Sequence, residues 1–564
     1  MPYRAPVEDY RFIFDNVVDM ASVSQTERFA EATPDMTSAI LTEMGKMAEE
    51  VLYPVHRSGD LDGAVLENGV VRTSPGYAEA FRALAEGGWV SVSAGEAHGG
   101  MGLPLSMNTA FNEMVSSTAM ALGLCPLLTQ GQIEALEHHA SDEIKEMYLP
   151  RLISGEWTGT MNLTEPGAGS DVGALKSKAE PNGDGSYAVS GQKIFITWGD
   201  HDFGGNVCHL VLARLPDGVP GTKGISLFMV PKFLPNEDGS LGERNSLNVV
   251  SLEHKMGIHG SPTCVMQFDG AKGWLVGEPH KGMAAMFTMM NNARLAVGTQ
   301  GVGIAEGAYQ HALAYAQDRD QMGKIINHAD VRRMLLTMKA DTFAARALVS
   351  DCSVALDMGA ATGEASWIAR GALLTPIAKA FSTDIGVAVA EMGVQIHGGM
   401  GFIEETGAAQ YSRDVRITPI YEGTNGIQAM DLVGRKMMDG GDAACALLDE
   451  IESNAERARA SLPDLAEPVW QATETLREAV EWMAAQSDMN QRFAGCVPFL
   501  SAFGRVLGGH YHLKAAMAEG GAGTRTKVAR FYINRLLPQY HGLLDHARAG
   551  AADLYDITNE ELCA

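Results

Sequence analysis

The sequence has few cysteines, and those it has form no recognisable pattern. Its 564 residues include 7 cysteines, an odd number, and no two of them are spaced as CxxC. Neither a disulfide framework nor a zinc site is therefore predicted, and the thiols are expected to be reduced and packed. No HExxH segment occurs, and the 16 histidines show no other ligand spacing, so no metal is predicted.

Positive charge is also scarce. The chain has 43 Lys and Arg against 69 Asp and Glu, which gives a formal net charge of −26. Such a field repels phosphate backbones and anionic lipid, so neither nucleic acid nor a membrane is predicted as a partner. No uninterrupted run of about 18 apolar residues is found, so no membrane-spanning helix is expected. Charged side chains interrupt the first twenty residues, which excludes a secretory signal and predicts a cytoplasmic protein.

What the chain does have is the composition of a large globular protein, with 46% hydrophobic and 20% charged residues. Its texture changes from helical to strand-like and back to helical, which predicts an α+β fold with segregated helices and sheet. The expected parts are a lead segment at 1–35, a helical domain at 36–155, a β domain at 156–278, a helical bundle at 279–440 and an additional helical domain at 441–564.

Local patterns place several elements within these parts. Helices are predicted near 77–87, 106–122 and 130–148, and strands at 187–189, 194–197, 210–213, 225–230 and 265–268. Asn182-Gly183-Asp184-Gly185 is typical of a hairpin turn. Pro376 is expected at the head of a buried helix, and Pro463 and Pro468 are expected to break the chain before another bundle helix.

The stretch from Gln395 to Gln428 combines a glycine-rich turn with one carboxylate in an unusual setting. Three glycines in the turn 397–401 allow the backbone to approach a phosphate or pyrophosphate, although the pattern is not the GxGxxG of a Rossmann fold. Glu422 follows an apolar run and precedes a helix predicted to begin near Thr424. Its carboxylate is either a solvated turn residue or a buried base.

Several motifs together resemble those of the acyl-CoA dehydrogenase family. Leu163-Thr164-Glu165-Pro166-Gly167-Ala168-Gly169-Ser170-Asp171 is similar to the family's TEPxxGSD signature, and Gly191 to Thr197 to its NGxKxWIT strand. Arg294, the segment 315–323, Gln395 to Gly401 and the Tyr421-Glu422-Gly423-Thr424 sequence follow in the family's order. The resemblance covers about residues 40–438. It implies an N-terminal helical domain, a middle β-barrel-like domain and a C-terminal four-helix bundle, to which this chain adds another helical domain.

The resemblance implies α,β-desaturation of an acyl thioester with FAD as the hydride acceptor. Glu422 matches the family's catalytic base. Some relatives carry the base just before the position of Arg294, but here that residue is Ala293, which cannot accept a proton. A helix N-terminus favours the Glu422 anion and a desolvated pocket favours the acid, and burial is expected to dominate once acyl-CoA expels water.

The same resemblance assigns ligand contacts along the chain. Ser170, Arg294, Tyr421 and Gly423 match substrate positions, although Ser170 could equally be a turn residue and Arg294 part of a salt bridge. The cofactor positions are Leu163, Thr164, Phe195 and Thr197 around the flavin ring, Thr424, and Arg319, Gln321, Gln395, Gly398 and Gly399 at a neighbouring subunit's FAD. Phe195 stands where many relatives have Trp, and Gln321 where they often have Thr. A shared cofactor implies an oligomer, expected to be a homodimer.

The lead segment and residues 441–564 resemble the extensions of a long subgroup of the family. That subgroup includes the 3-methylmercaptopropionyl-CoA dehydrogenases of dimethylsulfoniopropionate breakdown, so a short or medium acyl-CoA is the expected substrate and electron-transfer flavoprotein the expected acceptor. General fatty-acid oxidation and acyl-CoA oxidase activity remain alternatives. A DNA-associated relative would use the basic cluster of Arg525, Lys527, Arg530 and Arg535. Residues 441–564 could also serve as an interaction module or stabilise a dimer.

Overall fold

The chain is helical towards both ends and β-rich in the middle. The computed structural model describes residues 3–564. They divide into two compact units, each described by itself. The first comprises the described chain up to Gly45 together with Pro104–Ser117 and Arg294–Ala564, and the second comprises Lys46–Leu103 and Thr118–Ala293.

The helices before the β region are mostly short, with one long exception. Their bounds are Val7–Asn16, Met20–Ser24, Pro34–Met47, Ser58–Leu61, Tyr77–Glu86, Leu105–His139 and Asp142–Ile153. Helices are present near 106–122 and 130–148 as predicted, but their boundaries differ: the backbone leaves helical geometry at Ala119 and at residues 140–141, and not between 122 and 130. Pro126 lies inside the long helix, where residues 121–133 are nearly all buried and therefore lack the polar stripe of a surface helix. The interruption in backbone geometry is at Ala119 (φ −153°, ψ 56°).

The middle of the chain forms the predicted β structure. The strands are β1 (Val65–Glu67), β2 (Val70–Arg72), β3 (Thr158–Asn162), β4 (Lys178–Pro181), β5 (Tyr187–Thr197), β6 (Val207–Arg214), β7 (Ile225–Pro231), β8 (Phe233–Pro235), β9 (Leu241–Arg244), β10 (Leu247–Leu252) and β11 (Thr263–Val276). β4, β5, β11, β7 and β6 pair in a closed circuit, in which the register Lys178 with Arg214 completes the ring. The expected barrel-like architecture is confirmed.

The barrel core consists of alternating apolar residues from these strands, among them Val189, Val211, Phe228 and Met266. The predicted hairpin is also present. β4 and β5 run antiparallel around Asn182-Gly183-Asp184-Gly185. Asp184 accepts a hydrogen bond from the Ser186 amide at 2.9 Å, and both glycines of the turn have positive φ.

Three long helices form most of the bundle that follows. The helices of this region are Gly282–Asp318, Ala329–Thr362, Ala365–His397, Ala408–Val415 and Asn425–Asp431. Pro376 lies in the interior of the third helix and not at its head, so that prediction is wrong. The side chain of the preceding Thr375 donates to the Gly371 carbonyl at 2.7 Å. The helix is largely buried there, and packing outweighs the hydrogen bond that a proline removes.

One helix within residues 3–564 is long and apolar enough to cross a membrane, contrary to the sequence prediction. It is the segment Ala365–Phe402, with a mean hydropathy of 1.3 in its most apolar stretch. However, 78% of that stretch is buried within the protein, as in the core helix of a bundle.

The additional C-terminal domain packs on the bundle of the same chain. Its helices are Asp442–Ala458, Pro463–Ala485, Met489–Ala518, Thr524–Arg535, Tyr540–Ala547, Ala552–Asp556 and Asn559–Leu562. Pro463 begins the second of these and Pro468 lies within it, so Pro468 does not break the helix as predicted. The Met489–Ala518 helix contacts Ala329–Thr362, Ala365–His397 and Asn425–Asp431. The apolar faces of the domain are thus covered within the chain.

A buried ion network joins the N-terminal helix to both helical parts of its unit. The Arg346 guanidinium donates to Glu113 and Glu306, each at 2.6 Å, and lies 3.4 Å from Asp9. Asp9 also accepts from Arg525 of the additional domain at 2.7 Å. Ion pairs of Asp9, together with buried aromatic side chains, therefore hold the lead segment against the rest of its unit.

The cysteines are all free in the described chain. Five are buried, Cys445 is half-buried and Cys563 is exposed. The prediction of reduced, packed thiols is confirmed for the buried five.

Candidate functional site

Glu422 lies in a sharp turn between an apolar segment and a short helix. Its φ is +55°, a left-handed conformation that few residues other than glycine adopt, and Gly423 follows with φ +85°. The predicted helix start is confirmed, because the Thr424 hydroxyl caps Asn425–Asp431 by accepting from the Ile427 amide at 3.2 Å. The backbone therefore presents the Glu422 side chain from a constrained position.

Two buried cations lie close to this carboxylate. Arg294 is 5% exposed, and its Nη1 lies 3.5 Å from Oδ2 of Asp431. The fully buried Lys379 donates from Nζ to the Gly423 carbonyl and to Oδ1 of Asn425, both at 2.9 Å. Neither cation forms a close ion pair with Glu422, yet both favour its anion.

Burial dominates the acidity of Glu422. It raises the pKa of this carboxyl from 4.5 to about 7, and Arg294 and Lys379 oppose the shift. Burial also lowers the pKa of Lys379 to about 8, with Glu422 acting in the opposite direction. Burial already outweighs the two cations without a substrate, and a pKa of about 7 lies in the range that suits a general base.

The residues on either side of Glu422 are held by two glutamines. The Tyr421 hydroxyl donates to Oε1 of Gln300. Gln428 donates from Nε2 to the Glu422 carbonyl at 3.2 Å and to the Gly423 carbonyl at 3.4 Å. Gly423 has φ +85°, a conformation that favours glycine, and a Cβ there would also come within 2.7 Å of that Nε2. Hydrogen bonds to Gln300 and Gln428 thus restrain the turn before and after Glu422.

The predicted flavin residues of the second unit come together along the end of β5. The Ile194 amide donates to the Thr164 carbonyl at 2.9 Å, which lays the segment 163–165 beside Phe195 and Thr197. Phe195 has φ +61° and is 59% exposed, whereas Leu163, Thr164 and Thr197 are half-buried. Apolar surface from Leu163 and Phe195 next to two hydroxyls fits a flat ring system with one polar edge. The residues present therefore fit a flavin.

A buried ion pair fixes this arrangement. Lys193 donates from Nζ to Glu165 Oε1 at 2.8 Å and to the Leu163 carbonyl at 3.1 Å. Glu165 also accepts from the amides of Lys176 (2.6 Å) and Ser177 (3.0 Å). Ser170, which follows in the chain, is exposed.

The predicted pyrophosphate residues of the first unit lie at two neighbouring helix ends. The ring of His397 stacks on Tyr315 at 4.3 Å, so the ends of Gly282–Asp318 and Ala365–His397 are adjacent. Arg319 and Gln321 are exposed just beyond the first end, and Gln395, Gly398 and Gly399 are exposed at the second. A Cβ on either glycine would meet nothing within 4 Å, which leaves the backbone open to a ligand. A guanidinium beside an open glycine turn fits an anionic pyrophosphate.

The structure thus separates the predicted residues into three groups. Arg294, Tyr421, Glu422, Gly423 and Thr424 come together around the carboxylate; Arg319, Gln321, Gln395, Gly398 and Gly399 lie at the helix ends; Leu163, Thr164, Ser170, Phe195 and Thr197 belong to the second unit. Four features of these sites were not predicted from the sequence: Lys379, Gln300, Asn425 and the Glu165–Lys193 pair. A lone lysine in the apolar run from Leu373 to Phe381 is the signal that could have revealed Lys379.

Comparison with known families assigns almost the whole chain. Models described as the N-terminal, middle and C-terminal domains of acyl-CoA dehydrogenase match residues 35–156, 160–271 and 280–438. A model described as acetyl-CoA dehydrogenase C-terminal like matches residues 447–558.

Similar proteins match this chain over nearly its full length. A 3-methylmercaptopropionyl-CoA dehydrogenase of Ruegeria pomeroyi is 46% identical over 539 residues, which cover 92% of each chain. A butyryl-CoA dehydrogenase of Syntrophomonas wolfei is 34% identical and covers 99% of each chain. The crystal structure of an acyl-CoA dehydrogenase complexed with FAD from Bacillus anthracis has a TM-score of 0.77 at 20% identity, covers 97% of this chain and 92% of its own, and shows the shared fold. The chain belongs to the acyl-CoA dehydrogenase family of FAD-dependent oxidoreductases.

Proposed function

We propose that the protein introduces a double bond between the α and β carbons of a short- or medium-chain acyl-CoA, with Glu422 as the base. The observation that carries this proposal is the Glu422 turn itself. A half-buried carboxyl with a pKa of about 7, flanked by two buried cations on a constrained backbone, has the properties of a proton acceptor.

Glu422 accepts the α proton of the thioester in its anionic form. Because the carboxyl is partly desolvated, the anion is more basic than a surface glutamate and the proton transfer is better matched in energy. Arg294 and Lys379 limit the rise in pKa, so that a useful fraction of the base remains ionised at neutral pH. Bound FAD would supply the acceptor for the β hydrogen, which leaves as hydride.

Leu163, Thr164, Phe195 and Thr197 would hold the flavin ring. Arg319, Gln321, Gln395, Gly398 and Gly399 would bind the dinucleotide of a second copy, with Thr424 as a further cofactor contact, and the functional form is a homodimer. Two exposed apolar side chains support an interface with a second copy. Met322, next to Gln321, is 97% exposed, and Phe402, which follows the glycine turn, is 88% exposed. Ser170, Arg294, Tyr421 and Gly423 are the proposed substrate contacts.

The substrate we propose is 3-methylmercaptopropionyl-CoA, formed in dimethylsulfoniopropionate degradation in the cytoplasm. Support comes from the Ruegeria pomeroyi relative, which is 46% identical over 92% of this chain. The butyryl-CoA dehydrogenase relative, at 34% identity, supports a role in fatty-acid oxidation as the alternative. Electron-transfer flavoprotein is the proposed acceptor.

The reaction is tested by adding acyl-CoA to the purified holoenzyme without oxygen. Bleaching of the flavin absorbance, with formation of the 2-enoyl-CoA, is expected; the absence of bleaching with every thioester would contradict the proposal. Steady-state kinetics with butyryl-, isovaleryl-, 3-methylmercaptopropionyl-, octanoyl- and palmitoyl-CoA then rank the substrates. A clear preference for palmitoyl-CoA would refute the proposed chain length. Comparing turnover with dissolved oxygen and with an artificial acceptor distinguishes dehydrogenase from oxidase.

The DNA-associated alternative depends on the basic cluster at 525–535, and two of its arginines are ion-paired. Arg525 donates to Asp9 at 2.7 Å, and Arg530 donates to Asp464 at 3.0 Å. These carboxylates offset the charge that a phosphate backbone would need. A salt-dependent shift of DNA near physiological ionic strength would favour the alternative.

A further inference from the structure

Lys379 combines complete burial with two polar contacts at the Glu422 turn. It lies within the Ala365–His397 helix between the buried Ile377 and Phe381. Its ammonium reaches Gly423 and Asn425, which follow Glu422 in the chain, at 2.9 Å each. A buried ammonium is costly unless it is well hydrogen-bonded, so the position of this lysine needs an explanation beyond packing.

Asn425 is itself held in one orientation by the same helix. Its Nδ2 donates to Asp384 Oδ1 at 2.7 Å and to the Ala380 carbonyl at 3.2 Å. The amide oxygen is therefore the atom directed towards Lys379, which agrees with a lysine that can only donate. Helix and turn are thus joined on both sides of the amide group.

We propose that Lys379 is a positioning residue for Glu422: its ammonium fixes the Gly423 carbonyl and the Asn425 amide, and so holds the preceding Glu422 in its left-handed conformation with the carboxylate ionised. This inference rests on the proposed role of Glu422 as the base.

The backbone contact explains the geometry, and the charge explains the ionisation. The carbonyl of Gly423 is one residue beyond Glu422, so anchoring it limits rotation of the turn that carries the carboxylate. The ammonium also favours the Glu422 anion across a medium of low dielectric constant. Loss of the lysine should therefore change both the maximal rate and its dependence on pH.

Other ionisable groups act on the same site and stay unchanged in the test. Arg294 acts directly on Glu422, Asp431 and Arg435 act on Arg294, Asp384 acts on Lys379, Arg416 acts on Asp384, and Tyr421 is adjacent to the base.

The experiment compares Lys379→Met with wild type as holoenzymes, using anaerobic single-turnover flavin reduction by butyryl-CoA from pH 5.5 to about pH 9. The acid limb of the rate constant should move up by about one pH unit, and the rate above the limb should fall at least about tenfold. The carboxyl band of Glu422, assigned by its loss in Glu422→Gln, should titrate at correspondingly higher pH in infrared spectra. Lys379→Arg, which keeps the charge, should restore the position of the limb.

Lys514→Met, which removes a half-buried lysine from the Met489–Ala518 helix, is the matched control and should leave both quantities unchanged. An unshifted limb and unshifted carboxyl band in Lys379→Met would overturn the proposal, even if the rate fell. If Lys379→Met does not fold, Asn425→Ala decides: a rate above the limb reduced at least about fivefold supports the proposal, and an unchanged rate overturns it.

The two proposals fail in distinguishable ways. If Glu422→Gln reduces flavin at the wild-type rate, Glu422 is not the base. If Glu422→Gln is inactive while Lys379→Met behaves as wild type, only the positioning role of Lys379 is lost.

Discussion

The two units of this protein each contain a glutamate close to a fully buried lysine, with opposite consequences. In the second unit, Lys193 donates directly to Glu165, and the ammonium and amide donors outweigh burial, so that the pKa of Glu165 lies below its ordinary value. In the first unit, Lys379 donates to the backbone beyond Glu422, and burial raises the pKa of that carboxyl to about 7. Burial lowers the pKa of both lysines to about 8.

The difference shows that contact geometry, and not residue type, decides whether the pKa of a glutamate near a buried lysine is lowered or raised. Direct hydrogen bonds to the Glu165 oxygens stabilise the carboxylate anion and so disfavour its protonation. Glu422 has the charge of its lysine nearby while the lysine's donors are directed elsewhere, so its oxygens can accept a proton from a ligand.

The largest expected effect is the loss of proton abstraction in Glu422→Gln. Because the amide cannot act as a base, the single-turnover rate of flavin reduction should fall by about 10³–10⁴-fold with FAD content unchanged. Glu405→Gln, an exposed neighbour in the same stretch, is the control and should retain the wild-type rate. Retention of most of the rate in Glu422→Gln would remove the distinction between the two glutamates.

Of the substitutions at Lys193 and Lys379, the one that breaks the Lys193–Glu165 ion pair should reduce the stability of the fold most. Lys193→Met leaves Glu165 buried without its cation, which should lower the free energy of unfolding by about 3–5 kcal/mol, measured by denaturant titration. Lys178→Met on the exposed side of β4 should change it little. Adding Glu165→Gln to Lys193→Met should recover part of the loss, and a double variant less stable than Lys193→Met alone would contradict the explanation.

Activity should depend on pH through Glu422 and not through Glu165. Below about pH 7 the rate of flavin reduction should fall about tenfold per pH unit, because the base is increasingly protonated, and above that pH it should level off. A rate that stays constant from pH 5 to 8 would exclude a base with this acidity. The profile of Glu165→Gln should have its limb at the same pH as wild type.

The smallest expected effect is the dependence of the melting temperature on the ionisation of Glu422. The pKa of Glu422 is raised from 4.5 to about 7 on folding, so the folded protein binds the proton more tightly and loses stability as pH rises through this interval. Glu422→Gln should therefore raise the melting temperature by about 1–3 °C at pH 8 and by less at pH 4, measured by calorimetry. Glu165→Gln should do the opposite, since a lowered pKa contributes stability above the ordinary carboxyl range. Equal shifts at both pH values would argue against the ionisation of Glu422 as their cause.

Two local structures were predicted correctly from the sequence. The helix start after Thr424 and the hairpin at 182–185 follow from local chemistry that the fold preserves. The interior helical positions of Pro376 and Pro468, and the helix through residues 123–129, were not predicted, because tertiary burial outweighs the local cost of a proline or a missing polar stripe.

The sequence could draw attention to Lys379 as a lone lysine in an apolar run, but it could not predict which residues the supporting side chains contact. Lys379 is 43 residues from Glu422. Its contact with Gly423 depends on the direction of one side chain from a helix whose sequence is that of a buried core helix. Gln300 is further still, 121 residues before Tyr421. Such contacts are properties of packing and leave no pattern in a single sequence.

The ion pair between Asp9 and Arg525 joins residues 516 positions apart. During synthesis the first helix emerges from the ribosome long before its cationic partner is made; at bacterial and eukaryotic elongation speeds the interval is roughly 25–100 s. Over that interval the amphipathic helix Val7–Asn16, with its buried Tyr10, Ile13 and Phe14, has no additional domain to dock on. The ion pair can therefore form only after residue 525 has been synthesised, and until then the helix has only its contacts with the bundle, among them the one between Asp9 and Arg346.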